Sequence, residues 1–84
     1  MLDYYFTFRS MTAAQQATMY LNKNGLFASL LRAPKVLSEK GCGFSVRILL
    51  QNGSDAALIL RKAGIYYEKV FQMSASGVWT EAYL

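Results

Sequence analysis

Twice in this chain a segment with an apolar residue at every second position gives way to one whose apolar residues fall on a helical stripe ending at a glycine. A period of two belongs to a half-buried strand and a period near 3.6 to an amphipathic helix, so the chain must alternate between the two. "LDYYFTFR" sets Leu2, Tyr4, Phe6 and Phe8 on one face and Asp3, Tyr5, Thr7 and Arg9 on the other. "SMTAAQQATMYLNKNG" turns helical, with Ala14, Ala17 and Leu21 along one stripe. Ser10 or Thr12 can cap its start, Gln15 stands three residues after Thr12 as in a capping box, and Asn24-Gly25 ends it. "LFASLLRA" predicts a second strand closed by Pro34, and "PKVLSEKG" a loop. "CGFSVRILL" predicts a third strand, with Cys42, Phe44, Val46, Ile48 and Leu50 toward the core and Ser45 and Arg47 away from it. "NGSDAALILRKAG" predicts a second helix capped by Ser54, burying Ala56, Ile59, Leu60 and Ala63. "IYYEKVFQM" follows as a fourth strand, and the tail "SASGVWTEAYL" is either a short strand or an arm, with Trp79 as an anchor.

The order β-α-β-β-α-β is that of the ferredoxin-like split motif. The expected fold is therefore α+β, an antiparallel four-stranded sheet with two helices on one face. Residues 1–73 form the expected domain and residues 74–84 a C-terminal tail. An internal echo agrees: "LNKNGL" (Leu21–Leu26) and "LRKAGI" (Leu60–Ile65) both read Leu-x-Lys-x-Gly-aliphatic, each at a helix end. Eighty-four residues make one small domain, and a 54% hydrophobic, 14% aromatic composition is too apolar for disorder.

Several kinds of chemistry are excluded. The chain has no histidine, so Ser-His-Asp and Cys-His catalysis are absent. One thiol without imidazole makes no zinc site, and without a CxxC there is no thioredoxin-type exchange within the chain. No phosphate-cradling or dinucleotide motif appears, so no cofactor is expected. The five acids are scattered, with no pair spaced for acid–base work. No apolar run approaches the ~20 residues of a membrane span. "MLDYYFTFRS" carries an acid where a signal peptide would be positive, so the expected location is the cytoplasm.

Cys42 is the chain's only cysteine. Two readings of it stand side by side. Free cysteine is among the most buried residue types, and the parity of the third strand turns it toward the core, which makes it packing. Against this, Gly41 and Gly43 leave the thiol little shielded, and Cys42 stands at a loop-to-strand junction. Between Arg32 and Arg47 there are four bases, Arg32, Lys35, Lys40 and Arg47, against the single acid Glu39. Positive charge of that kind favours thiolate over thiol.

"KGCGFSVR" also overlaps an RNA-binding signature at Lys40, Gly41, Gly43 and Phe44. Parity argues against that use. Turning Phe44 outward to stack on a base would bury Arg47 unpaired, at a cost of several kcal/mol. Only Tyr5 would remain as an outward ring, so nucleic acid is not the expected partner.

Three stretches carry a resemblance to a known family: "YYFTFRSMTAAQQA", "APKVLS" followed by "CG", and "AGIYYEKVF". In type and order they resemble the short bacterial domains of the Se/S carrier protein-like family, over roughly residues 4 to 73. That family's pattern is an aromatic-rich first strand, a Ser/Thr-led helix, a Pro-Arg-x-aliphatic-Ser loop leading to Cys-Gly, and an aromatic-rich last strand after a helix ending in Gly. The resemblance implies a carrier of sulfur or selenium in which Cys42 holds a persulfide-type adduct. Gly43 would be its motif neighbour, and Pro34, Lys35, Ser38 and Lys40 would form the loop beside it, with Gly41 and Arg47 in support. Lys35 stands where the pattern has Arg, which keeps the charge and loses the guanidinium fork. Three residues, Glu39, Lys40 and Gly41, separate Ser38 from Cys42 where the pattern has two. The implied partners are sulfur or selenium donor and acceptor proteins, such as a cysteine desulfurase, and a homodimer fits the aromatic content. A carrier would not be a turnover enzyme. The rival readings are a non-catalytic domain that binds a protein or small anion, with Cys42 as packing, and an RNA-binding module.

Overall fold

The computed structural model describes residues 3–32, 43–49, 53–73 and 76–82. They form β1 (Asp3–Phe8), α1 (Met11–Lys23), β2 (Ser29–Arg32), β3 (Phe44–Leu49), α2 (Gly53–Ala63), β4 (Val70–Met73) and β5 (Trp79–Ala82). The fold is α+β, with two helices and one sheet in the order β2-β3-β1-β4-β5, every neighbouring pair antiparallel. The sheet has five strands rather than the four expected. The fifth is the tail, which pairs with β4 from Val70↔Ala82 to Met73↔Trp79 and covers what would otherwise be a free edge.

The period-two reading of β1 and β3 holds over their described residues; Leu2, Cys42 and Leu50 lie outside them. Phe6, Phe8, Val46 and Ile48 are buried, Tyr4 and Phe44 pack against them, and Val70 of β4 joins from the next strand. Ala14, Ala17 and Leu21 of α1 and Ala56, Ala57 and Leu60 of α2 close this core from one side. Ala63 is exposed and Ala57 takes the place expected of it, because the stripe of α2 starts at the buried Gly53. A Cβ at Gly53 would lie 2.3 Å from two ring carbons of Tyr4, so the absent side chain lets α2 sit on β1.

Ser10, not Thr12, caps α1. Ser10 is extended, at φ −110 and ψ 134, and its Oγ accepts from the Ala13 N–H at 3.2 Å; Thr12 falls inside the first turn, so the box with Gln15 does not form. Ser54 likewise lies inside the first turn of α2, which begins at Gly53. Both helices end in the same way. Leu26 N–H donates to the Leu21 carbonyl at 2.9 Å and Gly25 N–H to Asn22 at 3.0 Å, with Gly25 at φ 83. Ile65 N–H donates to Leu60 at 2.9 Å and Gly64 N–H to Arg61 at 3.1 Å, with Gly64 at φ 74. These are two Schellman caps, so the internal echo has a structural cause: Leu supplies the accepting carbonyl, Gly the left-handed residue, and the aliphatic residue folds back into the core.

β2 and β4 are shorter than predicted. Residues 26–28 and 65–69 carry the chain from the caps to the sheet, held in the first case by Asn22, whose side chain accepts from Ala28 N–H at 2.8 Å and donates to its carbonyl at 3.1 Å.

Candidate functional site

The start of β3 is defined by its register. Phe44 pairs with Phe8, the last residue of β1, on one side and with Arg32, the last residue of β2, on the other. One rim of the sheet thus gathers the exits of β1 and β2 and the entry of β3. Only Arg9 and Ser10 separate β1 from α1, so the helix also begins at this rim. Its first turn contains no acid, and Ser10 Oγ satisfies one of its free amides. The positive end of the helix dipole therefore faces the rim without a countercharge from its own first turn.

Among the described residues, four charged side chains stand at or next to this rim: Arg9, Arg32, Glu68 and Lys69. Arg9 Nε donates to Glu68 Oε1 at 2.5 Å, and with Arg9 79% exposed the pair orients the two side chains more than it stabilises the fold. Thr7 fixes the approach to β4. Its N–H donates to the Lys69 carbonyl at 2.9 Å, its carbonyl accepts from Glu68 N–H at 2.8 Å, and its hydroxyl meets Lys69 N–H at 3.1 Å. Arg32 and Lys69 are exposed.

Of the residues singled out in the sequence, Gly43 and Arg47 are described; Cys42, Pro34, Lys35, Ser38, Lys40 and Gly41 lie outside the described residues. Gly43 is half-buried and leads straight into Phe44. Arg47 lies three residues further along β3, about 10 Å from Phe44. It pairs with Tyr5 and Ser29 on the face away from the core, and its Nε is 3.8 Å from Asp3 Oδ2. Phe44 packs against the core, as the parity of β3 predicts, and is no outward platform for a base. Among the described residues, the cation that the register brings to the β3 entry is Arg32. The sequence counted it among the bases, but nothing local to Arg32 reveals that it faces Phe44.

Among the described residues no group of three or more His, Cys, Asp or Glu side chains is placed to hold a metal ion. None of their helices is long and apolar enough to cross a membrane.

A family model described as "Putative Se/S carrier protein-like" matches residues 3–72. The chain belongs to this family. The matched span opens at the first residue of β1, closes one residue before the end of β4 and takes in Cys42; β5 lies beyond it. No curated protein and no solved structure matches the chain. Membership in the Se/S carrier-like family implies partners that load and unload a cargo. It leaves the cysteine's task to be argued from the rim.

Proposed function

We propose that this protein carries sulfur or selenium on Cys42, with β1–β4 and the two helices acting as a ferredoxin-like core and β5 as an addition to it. The observation that carries the reading is the family match over all the elements except β5, in a chain with a single cysteine and no histidine. The electrostatics of the rim support it. Gly43, the residue after Cys42, enters β3 where Arg32 ends β2 and where α1 presents its N-terminus. Positive charge and a helix N-terminus both favour a thiolate over a thiol. In sequence, Lys35 and Lys40 fall with Pro34, Ser38 and Gly41 between β2 and Cys42, and on this reading their two cations would act on the same thiolate.

The transfer needs no acid–base residue once the thiol is ionised. The Cys42 thiolate attacks the terminal sulfur of a donor persulfide; the donor's S–S bond breaks, the donor leaves as a thiolate, and Cys42 becomes the persulfide. No net oxidation occurs, and the reverse exchange delivers the sulfur to an acceptor. A cysteine desulfurase is a donor of the required class. A reducing cytoplasm, where a lone thiol stays free, is the fitting location.

The test is alkylation of the native protein by iodoacetamide across a pH series, with mass spectrometry after incubation with a cysteine desulfurase and cysteine. The expected result is rapid alkylation with a midpoint below the roughly 8.5 of free cysteine, and a gain of one sulfur atom that Cys42→Ser abolishes. A thiol that reacts only after denaturation and never gains sulfur would leave Cys42 as core packing in a binding domain.

A further inference from the structure

The face of the sheet turned away from the helices carries one row of side chains that runs across all five strands. The register places Ser29, Arg47, Tyr5, Phe71 and Glu81 side by side, from β2 to β5. The neighbouring row turns to the helix side, with Val46, Phe6 and Val70 in the core, Ala82 packed against it and Leu30 at the exposed β2 edge, which fixes the first row outward. Both helices pack on the core side, and among the described residues no helix lies over the outward row. Tyr5 and Phe71 at its centre are half-buried, and Trp79, two residues from Glu81 on β5 and so on the same face, lays its ring edge-on against Tyr5; Arg47, 3.8 Å from Asp3, and Glu81 are exposed.

The charges in this row are arranged for self-recognition. Arg47 lies one strand to one side of Tyr5, and Glu81 lies one strand beyond Phe71 on the other side. They are three strand spacings apart, about 14 Å, too far to pair within the chain. A two-fold axis along the strands, between Tyr5 and Phe71, inverts the row onto itself: Tyr5 of one copy then covers Phe71 of the other, and each Arg47 meets the opposite Glu81. We infer that a second copy of this chain docks on the helix-free face, pairing Arg47 of each copy with Glu81 of the other around an aromatic centre of Tyr5, Phe71 and Trp79.

Complementary charges at both ends of an aromatic centre make the same patch fit itself, which is what an isologous interface requires. An anionic polymer would find Glu81 in the same row as its one arginine, so a nucleic acid is served poorly. Four spacings of about 4.8 Å give a face about 19 Å wide, at the low end of stable interfaces, which points to a micromolar association rather than a tighter one. Glu81 lies on β5, outside the matched residues 3–72, so this contact belongs to what the chain adds to its family's core.

Sedimentation velocity and light scattering over a low-micromolar to millimolar series test the inference. The expected result is a reversible doubling of mass, weakened on the order of a hundredfold by Glu81→Arg because two contacts per dimer turn repulsive. The double reversal R47E/E81R restores it, made on an Asp3→Asn background so that the acid placed at position 47 meets no second carboxylate. Both reversed residues are exposed, and circular dichroism is expected to report an unchanged fold. A single-chain mass at every concentration overturns the inference. So does a doubling insensitive to Glu81→Arg, which Leu30→Lys on the β2 edge would then trace to strand pairing.

Discussion

The ring of Trp79 meets the ring of Tyr5 edge to face, with centroids 4.8 Å apart and planes at 77°. Tyr5 is on β1 and Trp79 on β5, so the two rings close over β4, the strand between them. This contact explains why the tail docks. Four residues of backbone pairing hold β5 to β4, and an edge strand so short needs side chains to fix it.

Trp79→Ala and Tyr5→Ala are each expected to lower stability by about 1–3 kcal/mol, the loss of ring burial plus the pair itself. A double-mutant cycle, run where the chain is monomeric, should return a coupling of about 0.5–1.5 kcal/mol. Because Trp79 is the only tryptophan, its emission reports the docking directly, and Tyr5→Ala should shift it to the red. Strict additivity with unchanged emission would show that the rings do not hold the strand.

The parts of the fold legible in the sequence are those fixed by local physics. Phe6 and Phe8 alternate with Thr7, and Val46 and Ile48 with Arg47, because a strand with one buried face permits no other register. The helix ends were legible for a similar reason, since a left-handed residue is needed where a chain turns out of a helix. What escaped depended on distant partners. Ile65 sits in the core under its cap, so residues 65–67 reach for the sheet, and pairing with β1 begins only at Glu68 and Lys69, although "IYY" reads as strand. Two hydroxyls, Ser10 and Thr12, could each have capped α1, and the end of β1 selected the first. At the candidate site, the inward side of Phe44 was legible from parity, but Arg32 came to the same rim only through the pairing of β2 with β3.

The two caps give a matched pair of substitutions. Gly25 and Gly64 have φ of 83° and 74°, and a Cβ at either would meet nothing within 4 Å. Replacing either by Ala therefore incurs only the backbone strain of the left-handed region, about 1–2 kcal/mol, with no steric addition. Asn should cost less than Ala at both positions. The caps sit on different helices, so the double replacement should be additive within about 0.5 kcal/mol in chemical denaturation. A marked excess over the sum would mean that the two helix ends are coupled.

Ser45 lies on the outward side of β3, opposite Thr7 on β1 and Leu31 on β2, yet it is fully buried and its hydroxyl has no hydrogen-bond partner among the described residues. A hydroxyl taken from water without a partner costs about 1–3 kcal/mol relative to one that is satisfied, and an alanine in its place removes that penalty while giving up only one oxygen's packing. Ser45→Ala is therefore expected to stabilise the protein by about 1 kcal/mol, and Ser45→Val to do less because the neighbouring Thr7, only 7% exposed, leaves little room for added methyls. Thermal and urea unfolding of the two variants decide the sign. A loss of stability in Ser45→Ala would mean that the hydroxyl is bonded after all, and that the outward side of β3 is held by a polar contact rather than by close packing.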